Sequence, residues 1–155
     1  MIHTWKISIG EGSAETIQTG NDSYYFFKEA VSVVSEPEAV YGLAVAFHDT
    51  SELFDFLNYT QHDVSEALEV DPSTLSRWRK EDKKLTKVLT KNILDIDQVI
   101  AKGVRIFGSK ELLSKWLQAE NPSLGNQRPA ALMKSPYGIA RVDEAMEAMS
   151  WGAVL

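Results

Sequence analysis

The sequence predicts a mainly α fold: a helix-turn-helix unit over residues 50–105, joined by a long helix to a small α-helical domain over residues 106–155. Residues 1–49 open with a short strand and have no assigned role. Three observations carry this reading. Thr60 to Trp78 places Val64 and Leu68 on one helical face, Val70 in a turn, and Leu75 and Trp78 on a second short helix, so that two crossing helices share a small core. Leu85, Leu89, Ile93, Ile96, Ile100 and Phe107 then keep helical spacing over about six turns. Finally, Ile139, Val142, Met146 and Met149 recur at spacings of 3, 4 and 3 behind a Ser135-Pro136 start.

Along the chain, Trp5, Ile7 and Ile9 alternate with Lys6 and Ser8, the period of a half-buried strand ended by Gly10 to Ser13. Residues 14–23 are polar and turn-like. An aromatic cluster, Tyr24 to Phe27, leads into Val31, Val33 and Val34. A helix after Glu36-Pro37 is expected to carry Val40, Tyr41, Leu43, Ala44 and Phe47, and Leu53, Phe54 and Leu57 mark a short helix before the helix-turn-helix. Asp71 can cap the second helix of that unit, with Pro72 at its first position, where a missing N–H has no consequence. Glu69 stands where such turns usually carry glycine, so the backbone there is either left-handed or turns differently. Gly108 can end the long helix and Ser109 cap the next, which holds Leu112, Leu113, Trp116 and Leu117. Asn121 to Pro129 is a turn-rich connection, and the chain leaves its last helix through Trp151-Gly152.

The outward residues of the helix-turn-helix carry its chemistry. Ser73, Ser76, Arg77 and Lys80 fall opposite the apolar face, with Thr74 and the N-terminal Gln61 completing a candidate DNA-binding set. Hydroxyls and cations suit phosphate oxygens, and an arginine fork can satisfy the two acceptors of guanine in the major groove. Net charge is −6, but it is unevenly spread: residues 1–70 hold 2 basic and 12 acidic side chains, whereas residues 71–91 hold 7 basic and 3 acidic. Because surface charge is screened within about 8–10 Å, the local field at the second helix matters more than the total. Symmetric half-sites about 34–36 Å apart would call for a homodimer.

Other function classes are poorly served. His3, His48 and His62 lie far apart with no metal-ligand spacing, no nucleophile elbow or phosphate-cradling glycine loop is present, and nothing calls for a cofactor or makes the chain an enzyme. The absence of cysteine fits a reducing cytoplasm, and no apolar run approaches the roughly 20 residues of a membrane span.

The C-terminal third is more specific. Ile106-Phe107-Gly108, Trp116-Leu117, Asn121-Pro122, Leu124-Gly125, Pro129, Leu132, Ser135, Gly138, Val142 and Gly152 together resemble the toxin-binding domain of the Xre/MbcA/ParS antitoxins. Arg128, Ala130-Ala131 and Trp151 depart from the usual pattern without removing its framework. The resemblance implies an antitoxin that covers the active-site cleft of a cognate toxin, commonly a RES-type enzyme that degrades NAD, and represses the shared operon by binding operator DNA. It implies toxin contacts at Trp116, Pro122, Leu124 and Pro129, and at an apolar tail, Trp151, Gly152, Ala153, Val154 and Leu155, able to enter a nucleotide-sized pocket. The competing reading is a stand-alone repressor whose C-terminal domain senses a ligand or dimerises.

Overall fold

The computed structural model describes residues 3–6, 16–19, 23–32, 40 and 42–152. Two short strands come first, β1 (His3–Lys6) and β2 (Thr16–Thr19), paired antiparallel with His3 opposite Thr19. The expected strand is therefore present at Trp5, while Ile7 and Ile9 lie outside the described residues. Thr16–Thr19, expected as a turn, is a strand. Its β-branched Thr16, Ile17 and Thr19 favour a pleated backbone, a preference outweighed in the sequence by the polar residues around it.

A short helix α1 (Lys28–Ser32) follows the aromatic cluster. A second correction concerns the helix expected through Phe47. Much of it falls outside the described residues, but Leu43 to Val45 are non-helical, and Ala46 pairs with Lys84 in an antiparallel bridge. The Phe47 amide donates to Lys83 O at 2.8 Å and the Leu85 amide to Val45 O at 2.8 Å. Backbone bonding to a segment nearly forty residues away overrides a local helical period, which no local pattern could announce.

From here the chain is helical: a 3-10 turn at Phe47–Thr50, then α2 (Ser51–Phe56), α3 (Gln61–Leu68), α4 (Pro72–Lys80), α5 (Lys87–Phe107), α6 (Lys110–Gln118), α7 (Pro129–Leu132) and α8 (Pro136–Ser150). Gly108 closes α5 with φ 80°, where Gly lacks the Cβ that would clash, and the Ser109 hydroxyl caps α6 by accepting from the Leu112 amide at 3.2 Å. Ser135 does the same for α8, accepting from Gly138 N at 3.1 Å. Pro129 opens the short α7 inside what the sequence presents as an irregular connection.

The long helix is more than a bridge. Ile93, Leu94, Ile96, Val99 and Ile100 are buried, and α5 packs against both α6 and α8. Buried side chains form one contiguous cluster from Phe27 to Met146, crossing the boundary expected at 105/106. Two crossings tie the α3–α4 pair to the C-terminal helices. Tyr59 Oη donates to Ala130 O at 2.6 Å, and Lys134 Nζ donates to Asp63 Oδ1 at 2.8 Å and Glu66 Oε2 at 2.6 Å.

Near the middle of α5 a carboxylate interrupts the apolar stripe. Asp97 is fully buried and accepts the backbone N–H groups of Tyr25, Phe26 and Phe27, each at 2.9 Å. Burial pushes its pKa above the ordinary carboxylate range, against the opposing pull of those three donors. The aromatic segment is thereby fixed to the centre of the molecule, with Gln98 Nε2 donating to Tyr24 Oη at 2.9 Å beside it.

Candidate functional site

The α3–α4 pair is built by local signals that agree. Thr60 and Asp63 form a reciprocal capping box at the start of α3: the Thr60 hydroxyl accepts from Asp63 N at 3.2 Å, and Asp63 Oδ2 accepts from Thr60 N at 2.8 Å. Lys134 is the main influence that lowers the Asp63 pKa to about 2, with Thr60 adding to it. Glu69 resolves as a left-handed residue, φ 54° and ψ 41°, so the chain makes the sharp turn without glycine at a strain of about 1 kcal/mol. Asp71 then caps α4 by accepting from Thr74 N at 2.9 Å. Val64, Leu68, Leu75 and Trp78 are buried and Val70 half-buried, closing the shared core that the spacing predicts. Phe47 meets the Trp78 ring edge to face, 5.7 Å between centroids.

This core leaves Gln61, Ser73, Ser76, Arg77 and Lys80 exposed. Arg77, Arg79 and Lys80 make no ion pair among the described residues, leaving three cations within one turn at the solvent face of α4. Thr74 is different. It is half-buried and its hydroxyl donates to Asp71 Oδ2 at 3.1 Å, as the Ser73 hydroxyl does to Oδ1, so both hydroxyls help to hold the cap. Lys83 lies over the Trp78 ring, 5.7 Å from its centroid.

In the C-terminal domain the residues proposed to contact a toxin divide sharply. Leu124 and Pro129 are buried, and Trp116 is half-buried with its ring 5.7 Å from Phe107. These side chains belong largely to the domain's interior. Trp116 Nε1 is itself buried, with no hydrogen-bond partner among the described residues. Pro122 is exposed at the start of a 3-10 turn that Asn121 caps. Trp151 is 84% exposed at the end of α8, Gly152 follows with φ 87°, and Ala153, Val154 and Leu155 lie outside the described residues.

Two further apolar side chains stand out on this domain: Tyr137, 75% exposed, and Leu112, 50% exposed. The sequence places Leu112 on α6 beside Leu113, Trp116 and Leu117 without assigning it a face. The signal was present, since Leu113 and Leu117 are four apart and define the inward stripe, leaving their neighbour Leu112 about 100° away from Leu113. At the far end of α8, Lys102 Nζ donates to Asp143 Oδ1 at 2.7 Å and Glu147 Oε2 at 3.1 Å, locking it onto α5. Lys102 holds the Glu147 carboxyl below its usual pKa, mainly through their hydrogen bond.

Gly138 explains one of the glycines in the motif. A Cβ there would lie 1.7 Å from the Leu132 carbonyl oxygen, so only glycine lets α8 start against α7. Among the described residues no helix is long and apolar enough to cross a membrane, and no group of three acidic or histidine side chains is arranged to hold a metal ion.

Comparison with known proteins bears on this geometry. Residues 102–152 match the family described as the antitoxin Xre/MbcA/ParS C-terminal toxin-binding domain. A chain in the crystal structure of the M. tuberculosis MbcT–MbcA toxin–antitoxin complex is similar over 68% of this chain and 94% of that one, at 18% identity and a TM-score of 0.44. No curated protein matches the chain. The family match is confined to the C-terminal third of the chain, the segment that runs from the end of α5 through α8.

Proposed function

We propose that this chain, carrying an Xre/MbcA/ParS toxin-binding domain at its C-terminal end, is an antitoxin that covers the active-site cleft of a cognate toxin and represses its own operon through α3–α4. The observation that carries the reading is the 84% exposed Trp151 at the end of a domain matched to this family. A large aromatic side chain held in water is the kind of anchor that fills a partner's pocket. The toxin we propose is a RES-type enzyme that degrades NAD, whose nucleotide-sized cavity suits an apolar plug ending in Trp151 to Leu155.

Operator binding rests on the exposed cations Arg77 and Lys80 with Ser73, Ser76 and Gln61 nearby. Phosphate contacts would set affinity, and an arginine fork on guanine would set sequence preference. The acidic residues 1–70 oppose non-specific attraction to DNA, so a homodimer reading two half-sites fits the charge distribution best.

Co-expression with a cognate RES-type toxin tests the reading. The intact chain should co-purify with the toxin and preserve cellular NAD, and deletion of Trp151 to Leu155 should let NAD fall while operator binding persists. A truncated chain that protects NAD fully would reject the plug.

A further inference from the structure

A cleft of about 450 Å³ lies where α2 and α3 meet the end of α4. That volume is within the range of small-molecule sites; the cleft shares Gln61 with the proposed operator face and lies apart from the proposed toxin contacts. Its apolar wall comes from Phe54, Tyr59 and Val64. The Phe54 and Tyr59 rings stack at 5.8 Å and 21°, and the Tyr59 hydroxyl, by donating to Ala130 O, keeps that ring from turning away. The wall is therefore a fixed aromatic surface.

Two opposite charges line the same cleft, Arg79 and Asp55. Both are exposed, and neither makes an ion pair or side-chain hydrogen bond among the described residues, with each other included. His48, also at the cleft, is already engaged by Asp49 at 3.0 Å and Asp82 at 3.3 Å. A cation and an anion left separate beside an aromatic stack call for a ligand that carries both charges and an apolar body.

We infer that this cleft binds a free α-amino acid with a large apolar side chain. Its carboxylate would meet the Arg79 guanidinium, its ammonium group Asp55, and its side chain the Phe54/Tyr59 stack and Val64. Arginine is suited to the first contact because its planar fork matches a carboxylate in two parallel bonds. Simple anions are a poorer fit, since Asp55 would repel them, and a DNA phosphate would meet the same carboxylate. The inference stands apart from the antitoxin reading, and its test uses neither toxin nor DNA.

Titration of the full isotope-labelled chain with L-phenylalanine, followed by amide chemical shifts, should give saturable changes at Phe54, Tyr59, Val64 and Arg79. 3-Phenylpropionate lacks the ammonium group and 2-phenylethylamine lacks the carboxylate; each should bind roughly tenfold more weakly, as expected for the loss of one charged hydrogen-bonding partner. Arg79→Gln and Asp55→Asn, both at exposed positions, should keep the folded spectrum and each weaken L-phenylalanine roughly tenfold. Absence of saturable binding would overturn the inference. So would equal affinity for either analogue, or for inorganic phosphate, or wild-type affinity in both variants.

Discussion

In the α3–α4 pair, the residues that make the pattern recognisable split between an apolar interior and a polar exterior, whereas in the domain formed by α6 to α8 most of them turn inward. Val64, Leu68, Leu75 and Trp78 are buried, while Arg77 and Lys80 are exposed beside them. Leu113, Leu117, Leu124, Pro129, Gly138 and Val142 are all buried. The difference teaches how to read a motif. A short helix pair displays its contact chemistry in its signature, but a small domain can spend its signature on folding, leaving contacts to residues such as Tyr137, Leu112 and Trp151 that the pattern barely marks.

The sharpest way to break that comparison is at Gly138. Gly138→Ala drives a methyl group into the Leu132 carbonyl and should destabilise the chain by about 3 kcal/mol, read from denaturant unfolding. A loss below about 1 kcal/mol would mean that the glycine belongs to recognition rather than packing. Asp97→Ala comes next. It leaves three backbone donors unpaired and should lower stability by about 2 kcal/mol, with faster hydrogen exchange at Tyr25, Phe26 and Phe27. Unchanged exchange there would show that the segment is held by other contacts.

On the α3–α4 side, Arg77→Ala should weaken operator binding by about 1–3 kcal/mol without moving the unfolding midpoint, because the side chain is exposed and makes no ion pair among the described residues. A shift in stability instead would return Arg77 to the fold. The smallest effect is a gain. Glu69→Gly relieves a left-handed glutamate at some entropic loss, a net stabilisation of about 0.5 kcal/mol visible as a slightly higher Tm. A drop in Tm would show that the Glu69 side chain contributes more than its backbone strain removes.

These contrasts also explain what was legible in the sequence. Caps are local, so Asp71-Pro72, Gly108, Ser109 and Ser135 announced the ends of α4, α5, α6 and α8. Exposure on α4 was equally readable, because helical period separates Arg77 and Lys80 from Leu75 and Trp78. The extended run at Leu43 to Ala46 was not, since its partner is Lys83 to Leu85 and pairing at that distance leaves no local trace. Nothing local marks Asp97, a carboxylate next to Ile96 in an apolar stripe, as a buried acceptor. Its three donors come from a segment seventy residues earlier. The cleft beside Arg79 likewise exists only once α2, α3 and α4 are assembled. Leu124 and Pro129 were legible as motif residues yet not as buried ones, because a family pattern does not say whether a position is kept for contact or for packing.

The most direct measurement sets the two regions against each other in one experiment: toxin inhibition and operator binding, each assayed for Trp151→Ala and for Arg77→Ala. The account predicts that Trp151→Ala weakens inhibition by about 2 kcal/mol or more and leaves operator binding unchanged, while Arg77→Ala does the reverse. Full inhibition by Trp151→Ala, or parallel loss of both activities in either variant, would contradict it.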